Sequence, residues 1–243
     1  MMSEHINSVC ILGTGNVAWH YERRFKERGF SCVNISARNN VSCCIDADLV
    51  IIAVKDEAIE EVVNKLKGMK GILVHTSGFM STDCLAVATE NYGSLYPLQS
   101  LKKNKETDFD KVTLCTYGNN ERVRALLGSV AKELSSVTCE LSDKQRKSLH
   151  LAAVFCNNFT NHLFGIARSI LEKEKIPFDI LFPLIDMTID KVKQFNPFDV
   201  QTGPAVRNEK EIMRQHKEML GKDEREIYEL LSNKIISYHS KEK

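Results

Sequence analysis

The feature that most constrains the fold is a short glycine turn, Gly13-Thr14-Gly15-Asn16-Val17-Ala18. It stands between a β-rich run, Ser8–Leu12, and a helical stretch over 16–28 that Gly29 closes. In a G-x-G-x-x-A pattern the first glycine permits a tight turn and the second lets the backbone approach a pyrophosphate. The small third residue lets the helix pack close to the strand. The helix start then offers free N–H groups and a positive dipole end to phosphates. A strand before the turn and a helix after it favour a dinucleotide site over a plain strand–turn–helix. Gly13, Thr14, Gly15, Asn16 and Val17 are therefore candidate cofactor contacts.

The rest of the first half repeats the alternation. Strands are expected at 30–36, 49–54, 71–75, 93–96 and 112–116, with a helix over 57–67 closed by Gly68. Such alternation predicts a parallel sheet with helices on its faces. The pattern changes near Leu141, where Ser142-Asp-Lys-Gln145 reads as a capping box opening a long helix. Leu149, Ala153, Cys156, Phe159, Leu163, Ala167 and Ile170 come after it at helical spacing. Further helices are expected over 178–195, 207–220 and 223–238. The expected fold is thus an α/β Rossmann-like N-terminal domain, residues 1–141, followed by an all-α C-terminal domain, residues 142–243, for substrate binding and dimerisation.

The Rossmann-like half is expected to be shortened after its second strand. Only twelve residues, 37–48, precede the next strong strand, too few for a helix, a third strand and the return. A stub of that strand is expected at 41–44. The end of the second strand normally chooses between NAD and NADP, an acid there binding the ribose hydroxyls. This chain has Ile35-Ser36-Ala37-Arg38-Asn39, with no acid. The Ser36 hydroxyl and the Arg38 guanidinium suit a 2′-phosphate and favour NADP (NADPH); the alternative is that Arg38 is an ordinary exposed loop residue.

Bulk properties exclude several classes. Of 243 residues 43% are hydrophobic and the net charge is +1, so no nucleic-acid partner is implied. The opening Met-Met-Ser-Glu-His lacks a signal-peptide pattern. The apolar runs fall well short of the ~20 residues that span a bilayer, so no membrane partner is implied. A soluble, cytoplasmic protein is expected. The eight cysteines include no C-x-x-C pair, and adjacent Cys43 and Cys44 suit no mutual disulfide. They are read as mostly small buried hydrophobes of a reducing compartment. The seven histidines form no H-x-x-x-H, and no metal is expected.

Four segments carry a resemblance: Gly13–Ala18, His75-Thr-Ser-Gly78, the run from His150 through Asn157-Asn158 to His162, and Gln201-Thr-Gly-Pro-Ala-Val-Arg207. With them the chain resembles a family of bacterial Rossmann-like proteins with a C-terminal helical domain of uncharacterised function. That family looks related to β-hydroxyacid dehydrogenases, pyrroline-5-carboxylate reductases and ketopantoate reductases. The resemblance implies NADPH-dependent reduction of a small oxo acid, most specifically ketopantoate to pantoate, by a homodimer built through the helical half. Reduction of a cyclic imine is one alternative, and non-catalytic NADP(H) binding another. Lys55, after Val54 at a strand end, matches a lysine near the cofactor's ribose and phosphates in several such reductases. A solvated lysine is the alternative.

Open α/β sheets bind ligands beyond the carboxyl ends of their strands. Thr76 and Ser77 lie at such an end, as does Gln99 in Tyr96-Pro97-Leu98-Gln99. The position of His75-Thr-Ser-Gly78 suggests contact with the nicotinamide or the substrate; for His75 a core or turn role is the alternative. On the long helix His150, Asn157 and Asn161 share one face, with Asn158 to the side. An amide-rich face suits a carbonyl or carboxylate; a hydrogen-bonded buried face is the alternative. The related hydroxyacid dehydrogenases carry a catalytic lysine where this chain has Val154. His150 is then the candidate proton donor, since imidazole titrates near neutrality. In and after the loop 197–205, Gln201, Thr202 and Arg207 are candidate substrate contacts, Arg207 as a carboxylate clamp; a dimer contact is the alternative.

Overall fold

A computed structural model describes residues 5–241. Residues 1–4, part of the segment read as lacking a signal peptide, lie outside them. The chain forms two compact units, Met1–Phe159 and Thr160–Lys243.

The first unit is built on one seven-stranded sheet with strand order β2-β1-β3-β4-β5-β6-β7. The strands are β1 (Ser8–Leu12), β2 (Ser31–Ile35), β3 (Leu49–Ile52), β4 (Ile72–His75), β5 (Tyr92–Leu98), β6 (Thr113–Gly118) and β7 (Thr138–Glu140). The first five pair in parallel, β6 runs antiparallel to β5, and β7 is parallel to β6. All residues of β3 and β4 are buried, as expected of parallel strands covered on both faces. One core cluster holds Val9, Ile11, Tyr21, Phe25 and Leu127; the other holds Cys10, Leu12, Ile59, Val62 and Leu66. Helices α1 (Asn16–Glu27) and α3 (Glu121–Leu134) supply the first cluster, and α2 (Ile59–Asn64) supplies the second.

Two elements lie beyond the expected set, α3 and β7. The Asn120 side chain accepts the Val123 N–H and caps α3, whose Val123, Leu127, Val130 and Leu134 are buried. That spacing and cap are the signal the sequence offers for it. The three-residue β7 is too short to leave one.

The sheet lacks a third strand beyond β2, as the short segment requires. The expected strand stub at 41–44 is instead a 3-10 turn, Ser42–Cys44. The Asn40 side chain accepts the Ser42 N–H, a local turn that competes with strand pairing. Val41 and Cys44 point into the second core cluster. Cys44 is joined to Cys10 of β1 by a disulfide with Cα atoms 5.5 Å apart. That pair departs from the expectation that the cysteines are mostly small buried hydrophobes of a reducing compartment; the other six are free.

Helix α4 (Asp143–Ala153) opens with the expected capping box and leads into a π-helix over Val154–Phe159. The sheet ends with β7, close to the expected boundary at 141, but α4 and the π segment belong to the first compact unit. The second unit holds α5 (Thr160–Lys173), α6 (Phe182–Gln194), α7 (Pro204–Arg207), α8 (Lys210–Glu218) and α9 (Lys222–Ser240). The helix expected over 207–220 is broken, because Asn208 adopts a left-handed conformation with φ 54°. Phe198 stacks on Tyr238 at 4.3 Å and ties the loop before α7 to α9. Among the described residues no helix is long and apolar enough to cross a membrane, and no cluster of metal-ligating side chains occurs.

Candidate active site

The glycine turn is shaped by two different demands. Gly13 has φ +150°, and a Cβ there would lie 2.1 Å from the Ala53 carbonyl oxygen. It lets β1 pass directly against the end of β3. Gly15 is the N-cap of α1, and a Cβ there would meet nothing within 4 Å. Its openness is toward space rather than protein. No side chain caps α1, and its first turn carries no acid. Thr14, Gly15 and Asn16 are exposed and Val17 is half-buried. An uncapped, acid-free helix start with an open glycine in front of it fits a pyrophosphate.

At the end of β2, Ser36 Oγ receives the Arg38 N–H at 3.4 Å. The Arg38 side chain is exposed at the turn and enters no ion pair among the described residues. Ser36 and Arg38 thus lie together in one turn. Val54 is half-buried after the end of β3, and Lys55 beside it is exposed. The Ser77 hydroxyl donates to Asp56 Oδ2 at 2.9 Å and accepts the N–H groups of Phe79 and Met80. Its hydrogen-bonding capacity is spent on the β4 loop. Asp56, its partner, carries no signal of this role in the sequence.

A cavity of about 610 Å³ opens beyond the carboxyl ends of β1, β4 and β5. Its lining brings together Asn16 and Val17 of the glycine turn, Thr76, Tyr96, Gln99, and His150, Asn157 and Asn158 of the long helix. Among the described residues no lysine, arginine, aspartate or glutamate lines it. Another cavity, of about 480 Å³, lies at the opposite ends of the strands around Asp46, Lys70 and Glu90, away from the turn. The Asn16 side chain accepts the Lys103 N–H, and Gln99 accepts the Ser100 N–H at 2.8 Å. His150 Nδ1 lies 3.1 Å from the Tyr96 hydroxyl.

The polar stripe on the long helix does not keep α-helical spacing. The π-helix begins at Val154 and contains Asn157 and Asn158. A π turn holds more residues than an α turn and shifts the phase of the residues after it. Both amides therefore reach the cavity with His150, while Asn161 falls past them, exposed in the second unit. Gln201, Thr202 and Arg207 also belong to the second unit. Gln201 Nε2 donates to the Thr202 carbonyl. Arg207 pairs bidentately with Glu209 at 2.8 and 2.9 Å, so its fork is already occupied by a carboxylate.

Behind the cavity lies a buried ion pair that the sequence does not announce. Arg146 is fully buried and donates to Asp143 Oδ1 at 2.7 Å, Ser94 Oγ at 2.8 Å and the Met80 carbonyl. Asp143 in turn accepts the Thr82 N–H at 2.7 Å and the Ser81 hydroxyl at 3.0 Å. The pair ties α4, β5 and the loop after β4 into one frame, one turn below His150. His75 is also fully buried, and neither ring nitrogen makes a hydrogen bond of good geometry. Burial, with Arg146 adding, pushes its pKa down to about 4. It is a neutral core residue, one of the two readings open from the sequence.

Residues 112–235 match the family described as Domain of unknown function (DUF2520). Among solved structures, one described as a putative NADP oxidoreductase, BF3122 from Bacteroides fragilis, is similar over 97% of this chain and 100% of its own. It shares 30% identity with a TM-score of 0.87. Protein TM1727 from Thermotoga maritima is similar at 19% identity and TM-score 0.68, covering 96% and 99% of the two chains. Pyrroline carboxylate reductase from Plasmodium falciparum, solved with NADP bound, shares the fold at 12% identity and TM-score 0.58, covering 97% and 99%. Among curated proteins no sequence matches.

Proposed function

The chain belongs to the DUF2520 family of Rossmann-like proteins, and from that premise we propose that it is an NADPH-dependent reductase of a small carbonyl or imine compound. One observation carries the reading. A single cavity is lined both by Asn16 and Val17 of the open glycine turn and by His150, Asn157 and Asn158. A dinucleotide on the turn and a substrate beside the imidazole then share one space. The name given to the B. fragilis relative and the NADP bound to the Plasmodium reductase support the choice of cofactor.

The chain's own residues fit the cofactor. The N–H groups of the uncapped α1 start take the pyrophosphate, and Ser36 and Arg38 take the 2′-phosphate. When bound, NADPH supplies a hydride. Asn157 and Asn158 orient the acceptor group by amide hydrogen bonds, and His150 delivers the proton. Ketopantoate is the oxo acid we take as first substrate, its carboxylate met by amides rather than by a cation. The absence of lysine and arginine from the lining favours a cyclic imine without a carboxylate as the second reading. We place the homodimer contact on the helical unit, whose α6 exposes Phe182, Leu184, Met187, Ile189 and Val192.

NADPH oxidation against ketopantoate, other oxo acids and cyclic imines tests the reading. Turnover of at least one is expected. His150→Ala should lower kcat by roughly 10²–10⁴-fold with NADPH affinity unchanged. NADPH binding with no oxidation across both substrate classes would instead mark a non-catalytic binding protein.

A further inference from the structure

Tyr96 and Gly78 both crowd His150, and neither has a part in the function proposed above. The Tyr96 hydroxyl lies 3.1 Å from His150 Nδ1, and the two rings meet edge to face with centroids 5.9 Å apart. A Cβ on Gly78 would stand 2.5 Å from the same nitrogen. The imidazole is thus held by a hydroxyl at Nδ1 and by a backbone that leaves room for it only because residue 78 is glycine.

From this geometry we infer that Tyr96 is a positioning residue that fixes His150 as its Nε2–H tautomer, making Nε2 the nitrogen that passes a proton into the cavity. The direction of the hydrogen bond decides the tautomer. Tyr96 is 9% exposed, and its hydroxyl has one proton to place. His150 Nδ1 is the acceptor the structure sets within reach. If Nδ1 carried the proton instead, the phenolic proton would be left without a protein acceptor, which is costly for a buried group. Burial pushes the phenol up to about 12, with Cys115 adding and Arg146 opposing. Tyr96 therefore keeps its proton to donate throughout the range in which an imidazole titrates.

The proton's destination rests on the proposed reductase reading; the tautomer does not. In that reaction the Nε2–H bond breaks as an O–H bond forms on the substrate oxygen, or an N–H bond on an imine nitrogen. The hydride comes from the proposed cofactor. Tyr96 hands its proton to Nδ1 in the same step as its oxygen takes one from solvent water, whose hydroxide is left in the bulk, so the ring stays neutral and no phenolate forms. The amide pair Asn157 and Asn158 orients the substrate without taking part in this exchange.

The test is ¹H–¹⁵N correlation of protein carrying ¹⁵N-labelled histidine, with His150→Gln to assign the signal and no cofactor or substrate present. In the wild type near neutral pH the expected spectrum has Nε2 protonated and Nδ1 bare. Tyr96→Phe should give a mixture of tautomers, and kcat should fall about tenfold or more with KM within about twofold. Gly78→Ala, which displaces the imidazole without touching Tyr96, should give the same mixture and serves if Tyr96→Phe does not fold. A wild-type ring protonated at Nδ1, or variants that keep both tautomer and kcat, would overturn the inference. An Nε2–H ring in a protein that binds no NADPH would overturn the reductase reading and leave the tautomer assignment standing.

Discussion

His75 and His150 stand on neighbouring elements of the same unit and have opposite fates. His75 is buried and neutral, with a folded pKa pushed down to about 4 against ~6.5 when unfolded. The unfolded chain binds more protons between those values, so stability rises with pH across them and is lost as pH falls from about 6.5 to 4. The shift corresponds to at most about 3 kcal/mol. His75→Leu should flatten the melting temperature over that window, and an unchanged acid slope in the variant would show that other groups set it. In the cavity, Asn157→Ala should raise KM or lower kcat by an amount equivalent to roughly 1–3 kcal/mol, read in steady-state kinetics. His150 and Asn157 are legible in the sequence because both are polar at helical spacing in an apolar stretch. The π turn that brings Asn158 in and leaves Asn161 out is not, since it depends on packing rather than on residue type. Arg146 is hidden for a related reason. An arginine after a capping box reads as a solvated face unless tertiary contacts bury it.

At the scale of elements, the β1–α1 turn separates two roles that its consensus pattern merges. Gly13→Ala drives a Cβ against the Ala53 carbonyl oxygen at 2.1 Å and should cost about 3 kcal/mol or more, seen as a large drop in denaturant midpoint. Gly15→Ala enters open space at φ −80° and should cost about 1 kcal/mol or less. In the proposed function its methyl would stand where the backbone approaches the pyrophosphate, so NADPH affinity should fall by about tenfold or more. A Gly15→Ala protein with wild-type affinity would place the phosphates elsewhere. The turn, the parallel strands and the shortened segment 37–48 are readable because glycine spacing and apolar runs are local signals. The fate of 41–44 is not. Val41 and Cys44 have strand-like side chains, yet Asn40 closes a turn on Ser42 and the side chains are used to fill the core.

The whole molecule carries its apolar residues unevenly. In the second unit Ile180, Phe182, Leu184, Met187 and Phe195 are all more than half exposed, and this is the apolar surface on which the proposed dimer contact rests. Sedimentation at micromolar concentration should give a dimer, and Leu184→Glu with Met187→Glu should give a monomer. A wild-type monomer would contradict the proposed contact. The change in periodicity near Leu141 is legible in the sequence, while α4 is tied to the sheet unit by hydrogen bonds from Arg146 to Ser94 of β5 and from the Thr82 N–H to Asp143, which no local signal announces. The central claim is that the glycine turn and Arg38 serve NADPH, and it is tested most directly by titrating NADPH and NADH against the wild type and Arg38→Ala, following ligand fluorescence. The expected result is NADPH bound roughly ten- to a hundredfold more tightly than NADH, as one charge-assisted phosphate contact implies, with the difference largely lost in Arg38→Ala. Equal or tighter binding of NADH by the wild type, or an Arg38→Ala protein with unchanged NADPH affinity, would contradict it.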